Sequence, residues 1–189
     1  MSRHFGNSLH VAFVVPNVDR EIDRLLGIGI GPIFVMRRIR VAARYRNNRH
    51  DPLMTAAFAY SGNMLLEFLE PHDTTPSGMR EFLERTPGGG THHFAYFSDN
   101  FQATLLELER EGQKFEVVQE YIHEDGTPYE IYIQPESDPQ GFLVQLVHRG
   151  PLEHFYEEMR SIAQHWDGTM PIRRAADLLP PEMRPVEAA

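Results

Sequence analysis

HVAFVVPNVDREIDRLLGIG, residues 10–29, lies over HFAYFSDNFQATLLELEREG, residues 93–112, without a gap and at an offset of 83 residues. Identities fall at His10 and His93, Ala12 and Ala95, Asn17 and Asn100, Leu25 and Leu108, and Gly29 and Gly112, with Phe13 opposite Tyr96. A self-match at one fixed offset marks a duplicated unit, and it constrains the fold before any single element does. Each copy leads an apolar strand into a polar turn, then into an amphipathic helix that stops at glycine.

Working outward from the repeat, strand patterns follow each helix. They fall near residues 33–41, 54–60 and 64–69 in the first half, and near 115–120, 130–134 and 142–147 in the second. The halves close alike, with GNMLLEFLEP around Glu67 and GFLVQLVHRGP around Gln145. The expectation is an α+β fold of two tandem βαβββ modules, residues 8–72 and 91–149, in a single domain over 1–150. A linking helix over 76–85 and a flexible PGGG joint at 87–90 separate them. Residues 151–189 lie beyond the repeat. They begin with a docking helix whose Leu152, Phe155, Tyr156, Met159, Ile162 and Ala163 share one face, and they end in a proline-rich tail expected to be irregular.

Composition narrows the chemistry. The chain has no cysteine, so a metal could be held only by imidazole, carboxylate or amide oxygen, and ten histidines make that feasible. A net charge of -9 disfavours nucleic acid as a partner. No apolar run is long enough for a membrane span and no cleavage pattern follows the first residues, so a cytoplasmic location is expected. Walker loops, dinucleotide fingerprints and serine nucleophile elbows are absent.

A polar residue inside an apolar strand demands a partner. Four such residues sit in repeat phase: His10 and His93 open the first strand of each half, and Glu67 and Gln145 lie in the last. Two halves packed about a pseudo-twofold axis could bring all four to one concave centre, as a mixed nitrogen and oxygen site with positions left for water or substrate. Six arginines, a third of all Lys and Arg, fall between positions 37 and 49. They form either a solvated strand and loop or, through Arg38, Arg40 and Arg44, a cradle for an anionic substrate group. Phe34, Tyr45, Phe58, Tyr60, Phe94, Tyr96 and Tyr132 are candidates to line a pocket or to pack the core, with Tyr60, Tyr96 and Tyr132 the candidate substrate contacts.

At LHVAFVVPNVD, LLEFLEP and GGGTHHFAYFSDN the chain resembles the vicinal oxygen chelate superfamily, the glyoxalase, bleomycin-resistance and extradiol-dioxygenase group, and especially its methylmalonyl-CoA epimerase-like members. The resemblance spans residues 9–148. It implies a cupped mixed sheet, a homodimer, and one divalent ion (Co, Ni, Zn, Mn, Mg or Fe) on His10, Glu67, His93 and Gln145. His92, which precedes the second of these histidines, is expected to point to the opposite face in a structural or supporting role. It also implies an isomerase, epimerase or lyase acting next to a carbonyl of an acyl-CoA or small carboxylated substrate. Many family isomerases carry glutamate in the final strand, where this chain has Gln145, so Glu67 becomes the candidate catalytic base or a purely structural ligand. Two histidines and one carboxylate also suit a ring-cleaving extradiol-type dioxygenase, and the cup alone would suit a non-catalytic small-molecule binding or resistance protein.

Overall fold

The computed structural model describes residues 2–185; the last four residues of the expected tail, 186–189, lie outside the described residues. The first module contains β1 (Ser8–Val14), α1 (Val18–Gly27), β2 (Ile33–Arg40), β5 (Leu53–Ser61) and β6 (Met64–Pro71), with a short hairpin, β3 (Ala43–Tyr45) and β4 (Asn48–His50), between β2 and β5. Helix α2 (Gly78–Arg85) links it to the second, formed by β7 (Gly90–Ser98), α3 (Phe101–Arg110), β8 (Phe115–Ile122), β9 (Pro128–Pro135) and β10 (Leu143–His148). Helix α4 (Pro151–Gln164) and a short β11 (Ile172–Arg174) follow. No helix among the described residues is long and apolar enough to cross a membrane.

The repeat is visible down to single hydrogen bonds. Asn17 and Asn100, both in extended backbone, accept from the amides of Arg20 at 2.8 Å and Ala103 at 3.0 Å, so each starts its helix with the same cap. Both helices end through a left-handed glycine, Gly29 at φ +82° and Gly112 at φ +79°. The amides of Ile30 and Gln113 then reach back to the carbonyls of Leu25 and Leu108. Outside the cup, α1 buries Val18, Ile22 and Leu25 on the first module, and α3 buries Leu108 on the second.

All eleven strands form one mixed sheet in the order β11-β2-β5-β6-β1-β7-β10-β9-β8-β3-β4. In each module the first and last long strands are parallel neighbours, β1 with β6 and β7 with β10. The modules meet within one chain where β1 runs antiparallel to β7. Strand β3 is three residues past β2 in sequence, yet it pairs with β8 near the far end of the sheet. Three residues reach about 10 Å at most, so the sheet has to curl until its ends almost touch. The amide of Val41 donates to Pro52 in the first module at 3.3 Å, while the carbonyl of Ala42 accepts from Ile122 in the second at 3.0 Å.

Three expectations need correction. The arginine-rich segment was read as a strand end and loop, but it contains the β3–β4 hairpin, whose extension comes from pairing with the opposite module and not from local pattern. The PGGG segment is no loose joint, because Gly89 sits at φ +75° with space for a Cβ only 2.6 Å from the Val14 carbonyl oxygen. The tail is not irregular throughout: β11 pairs in parallel with β2, and Ala175, Ala176 and Leu179 are buried behind it.

Because the two caps lie in separate helices, their losses should add. Asn17→Ala and Asn100→Ala each lower unfolding free energy by about 1 kcal/mol, and the double variant by about their sum, in urea titration.

Candidate metal centre

The β1–β7 junction decides which side chains meet. In its register His10 faces Ala95 and Ala12 faces His93, so the two histidines are diagonal neighbours on one face of the sheet. The parallel pairings place Glu67 beside Ala12 and Gln145 beside Ala95. Two fully buried alanines thus stand at matching repeat positions, each flanked by a histidine and a last-strand polar residue. Their methyl groups leave the larger side chains room to lean together.

They do so closely. His10 Nε2 is 3.3 Å from His93 Nε2, and Glu67 Oε2 is 3.1 Å from the first and 3.3 Å from the second. Adjacent ligand atoms of an ion with bonds of about 2.1 Å lie roughly 3 Å apart. Gln145 lies on the neighbouring strand, beside Ala95. Its Nε2 donates to Glu130 Oε2 and to the Tyr132 hydroxyl, both at 2.7 Å, so its amide hydrogens are committed away from the histidines. Its Oε1 is buried without a hydrogen-bond partner, on the side of His93. Two imidazole nitrogens and a carboxylate oxygen, all within 3.3 Å of one another, have the chemistry to fit a divalent cation.

The surrounding electrostatics favour ligation. Burial, outweighing the attraction of Glu67, pushes the His93 imidazole below its ordinary pKa, which keeps a ring nitrogen free to bind. Burial also raises the Glu67 carboxyl, but the imidazoles of His10 and His93 prevail and hold it well below the carboxylate range. His92 Nδ1 lies 2.9 Å from His93 Nδ1, which ties up the outer nitrogen of that ring and leaves Nε2 facing the centre. Burial, reinforced by His93, pushes His92 down to about 3, so it stays neutral.

Beside the centre is a cavity of about 340 Å³, at the small end of the ~300–1,000 Å³ typical of ligand pockets. Glu67 reaches its wall, as do Tyr132 and Phe58. Glu130, which the sequence reading did not single out, is buried in the same wall, and burial followed by the charge of Glu67 pushes it up to about 8. Period-two alternation could have found it: Glu130 and Tyr132 share the cup face of β9, whereas Ile131 and Ile133 pack outward under α3. Helix α4 contributes Phe155 and Tyr156, the latter with its ring 5.9 Å from that of His10.

The structure separates the other candidate contacts. Arg40 lines the cavity and also pairs with Asp73 at 3.2 Å. Arg44 lies outside the wall, held by Glu120 at 2.6 Å and by the Gly126 carbonyl. Arg38 is exposed and off the wall, its backbone amide bound to Thr55. The Tyr60 hydroxyl donates to the Tyr156 carbonyl and so anchors α4. Tyr96 faces away from the cup, against Phe5, because the alternation that turns His93 and Ala95 inward turns its own position outward.

The family model described as Glyoxalase/Bleomycin resistance protein/Dioxygenase superfamily matches residues 9–133. No curated protein matches by sequence. Among solved structures, the methylmalonyl-CoA epimerase of Mycobacterium tuberculosis superposes with a TM-score of 0.51 at 18% identity, covering 81% of this chain and 94% of that one. A hypothetical protein from Bacillus halodurans C-125 gives a TM-score of 0.52 at 16% identity, covering 75% and 92%. At such identities the superpositions speak for the fold alone, and they agree with the paired modules and the curled mixed sheet. With two thirds of its length matched by the family model and its fold shared with these structures, the chain belongs to the glyoxalase, bleomycin-resistance and dioxygenase superfamily, the vicinal oxygen chelate proteins.

Proposed function

We propose that this protein is a metal-dependent isomerase, epimerase or lyase that moves a proton on a carbon next to a carbonyl. The carrying observation is the triangle of His10, Glu67 and His93 donor atoms, 3.1–3.3 Å apart, opening beside a cavity that holds a second buried carboxylate. His10, Glu67, His93 and Gln145 would hold the cation. When bound, it supplies Lewis acidity, drawing charge from a carbonyl oxygen and so acidifying the neighbouring C–H bond.

The chain's own residues divide the remaining work. Glu67 Oε2 is engaged with both imidazoles, which favours the ligand role over that of a mobile base. Glu130 stands in the cavity wall with Oε2 fixed by Gln145 and Tyr132, so its carboxyl is oriented to take a proton from substrate carbon and return it. Phe58 and Phe155 exclude water from the same space. A second reading, a ferrous ring-cleaving dioxygenase, is favoured by the donor triangle itself, since two histidines and one carboxylate on one face also suit that chemistry.

Purified protein is expected to carry one divalent ion per chain by elemental analysis, with His10→Ala and Glu67→Gln losing it and His92→Ala weakening it roughly 10–100-fold. Glu130→Gln should keep the metal but lose deuterium incorporation from D2O into α-branched acyl thioesters or 2-oxo acids, followed by proton NMR, by a factor of about 10²–10⁴. Retained incorporation would remove Glu130 from the proton step. Oxygen uptake by the ferrous protein with a catechol, and no incorporation in any acid, would move the assignment to the dioxygenase.

A further inference from the structure

The rim of the cavity carries an arginine that the rest of the protein leaves almost unused. Of the six arginines between positions 37 and 49, Arg37, Arg40, Arg44 and Arg46 are held by carboxylates at 2.5–3.2 Å. Arg38 lies off the cavity wall. Arg49 alone lines the cavity with only a loose neighbour, Asp51 at 3.8 Å, beyond hydrogen-bond range. Its side chain is 59% exposed, and it projects from β4, the outermost strand of the sheet. Arg40 is at the same rim, and the turn between β8 and β9 adds His123 and Glu124.

Below the rim the wall turns apolar. Ile39 and Met54 come from the sheet, Phe155 from α4, and Leu179 and Met183 from the tail. The C-terminal segment therefore contributes to the wall, and Glu67 and Glu130 add carboxyl groups to it. One wall is built for a small apolar body, one end for oxygen donors on a cation, and the rim for a negative charge.

We propose that the site takes a compact, largely apolar acid whose anionic oxygen group is bound at the rim by Arg49, with Arg40 beside it. The inference rests on the metal-centre reading only for which end of the ligand turns toward His10, Glu67 and His93. A guanidinium with free donors offers a fork that matches a carboxylate or a phosphate, and the apolar wall suits a single ring or a short branched chain. The carboxylate of a compact acid is the source that the small cavity favours; the phosphates of a coenzyme A thioester are the other source of the same chemistry.

Isothermal titration of the metal-free protein with phenylacetate, phenylacetamide and coenzyme A tests this apart from the metal. Phenylacetate should bind, and Arg49→Gln should weaken it roughly tenfold or more, with Arg49→Lys recovering part of the loss. Phenylacetamide should bind weakly and equally to wild type and Arg49→Gln. Arg37→Gln, which removes a charge outside the cavity, should change nothing. Equal phenylacetate affinity in wild type and Arg49→Gln would overturn the proposal, as would no saturation by about 10 mM. Tighter binding of coenzyme A than of phenylacetate, lost in Arg49→Gln, would also overturn it in favour of a phosphate contact. Metal content measured on the same variants separates these failures from a failure of the centre.

Discussion

The antiparallel pairing of β1 with β7 is the constraint on which the rest of the molecule depends. It joins the two modules into one sheet, and its register sets His10 and His93 diagonally across the junction. Shifting that register by one residue would turn one histidine to the outer face, because side chains alternate with period two. The parallel neighbours β6 and β10 then have only to match their own modules for Glu67 and Gln145 to arrive at the same place. The side chains of His10, Glu67 and His93 converge from three strands through backbone pairing, and no loop has to position any of them.

The duplication explains the convergence but not the chemistry, which lies in where the copies differ. A symmetric site would carry a carboxylate from each last strand. Here one is replaced by Gln145, and a carboxylate reappears as Glu130 on the neighbouring strand β9, bonded to that amide at 2.7 Å. The amide hydrogens of Gln145 turn toward Glu130 and Tyr132, while its oxygen stays buried. The donor set contributes a single negative charge, and the second carboxyl stands in the cavity.

The fold and the identity of the clustered side chains could be read from the repeat because His, Asn, Leu and Gly recur at positions where a strand start, a helix cap, a buried helix face and a left-handed stop are needed. The converging histidines and Glu67 were legible for the same reason. For Glu130 alternation offered only a place on the inner face of β9; its bond to Gln145 of β10 could not be read from the sequence. Nor could sequence show that β3 pairs with β8, a contact set by sheet curvature. The arginine run allowed either a solvated strand and loop or an anion cradle, and alternation and cross-module ion pairs gave each guanidinium a different neighbour. A tail wrapping the body was expected, but that its Leu179 and Met183 would line the cavity could not be read from the sequence.

The three-residue step from β2 to β3 has a further consequence for how the protein is made. Because the first module lends its hairpin to the edge of the second, neither half is finished when its own chain segment is complete. Pairings such as Ala43 with Tyr121 and Ala12 with His93 span more than a whole module in sequence, so much loop-closure entropy is spent before they contribute stability. On a ribosome, residues 1–85 emerge with β1 lacking one neighbour and the hairpin lacking its partner strand. The cluster of His10, Glu67 and His93 is consequently among the last parts of the molecule to exist, assembled when the second copy folds against the waiting edge of the first.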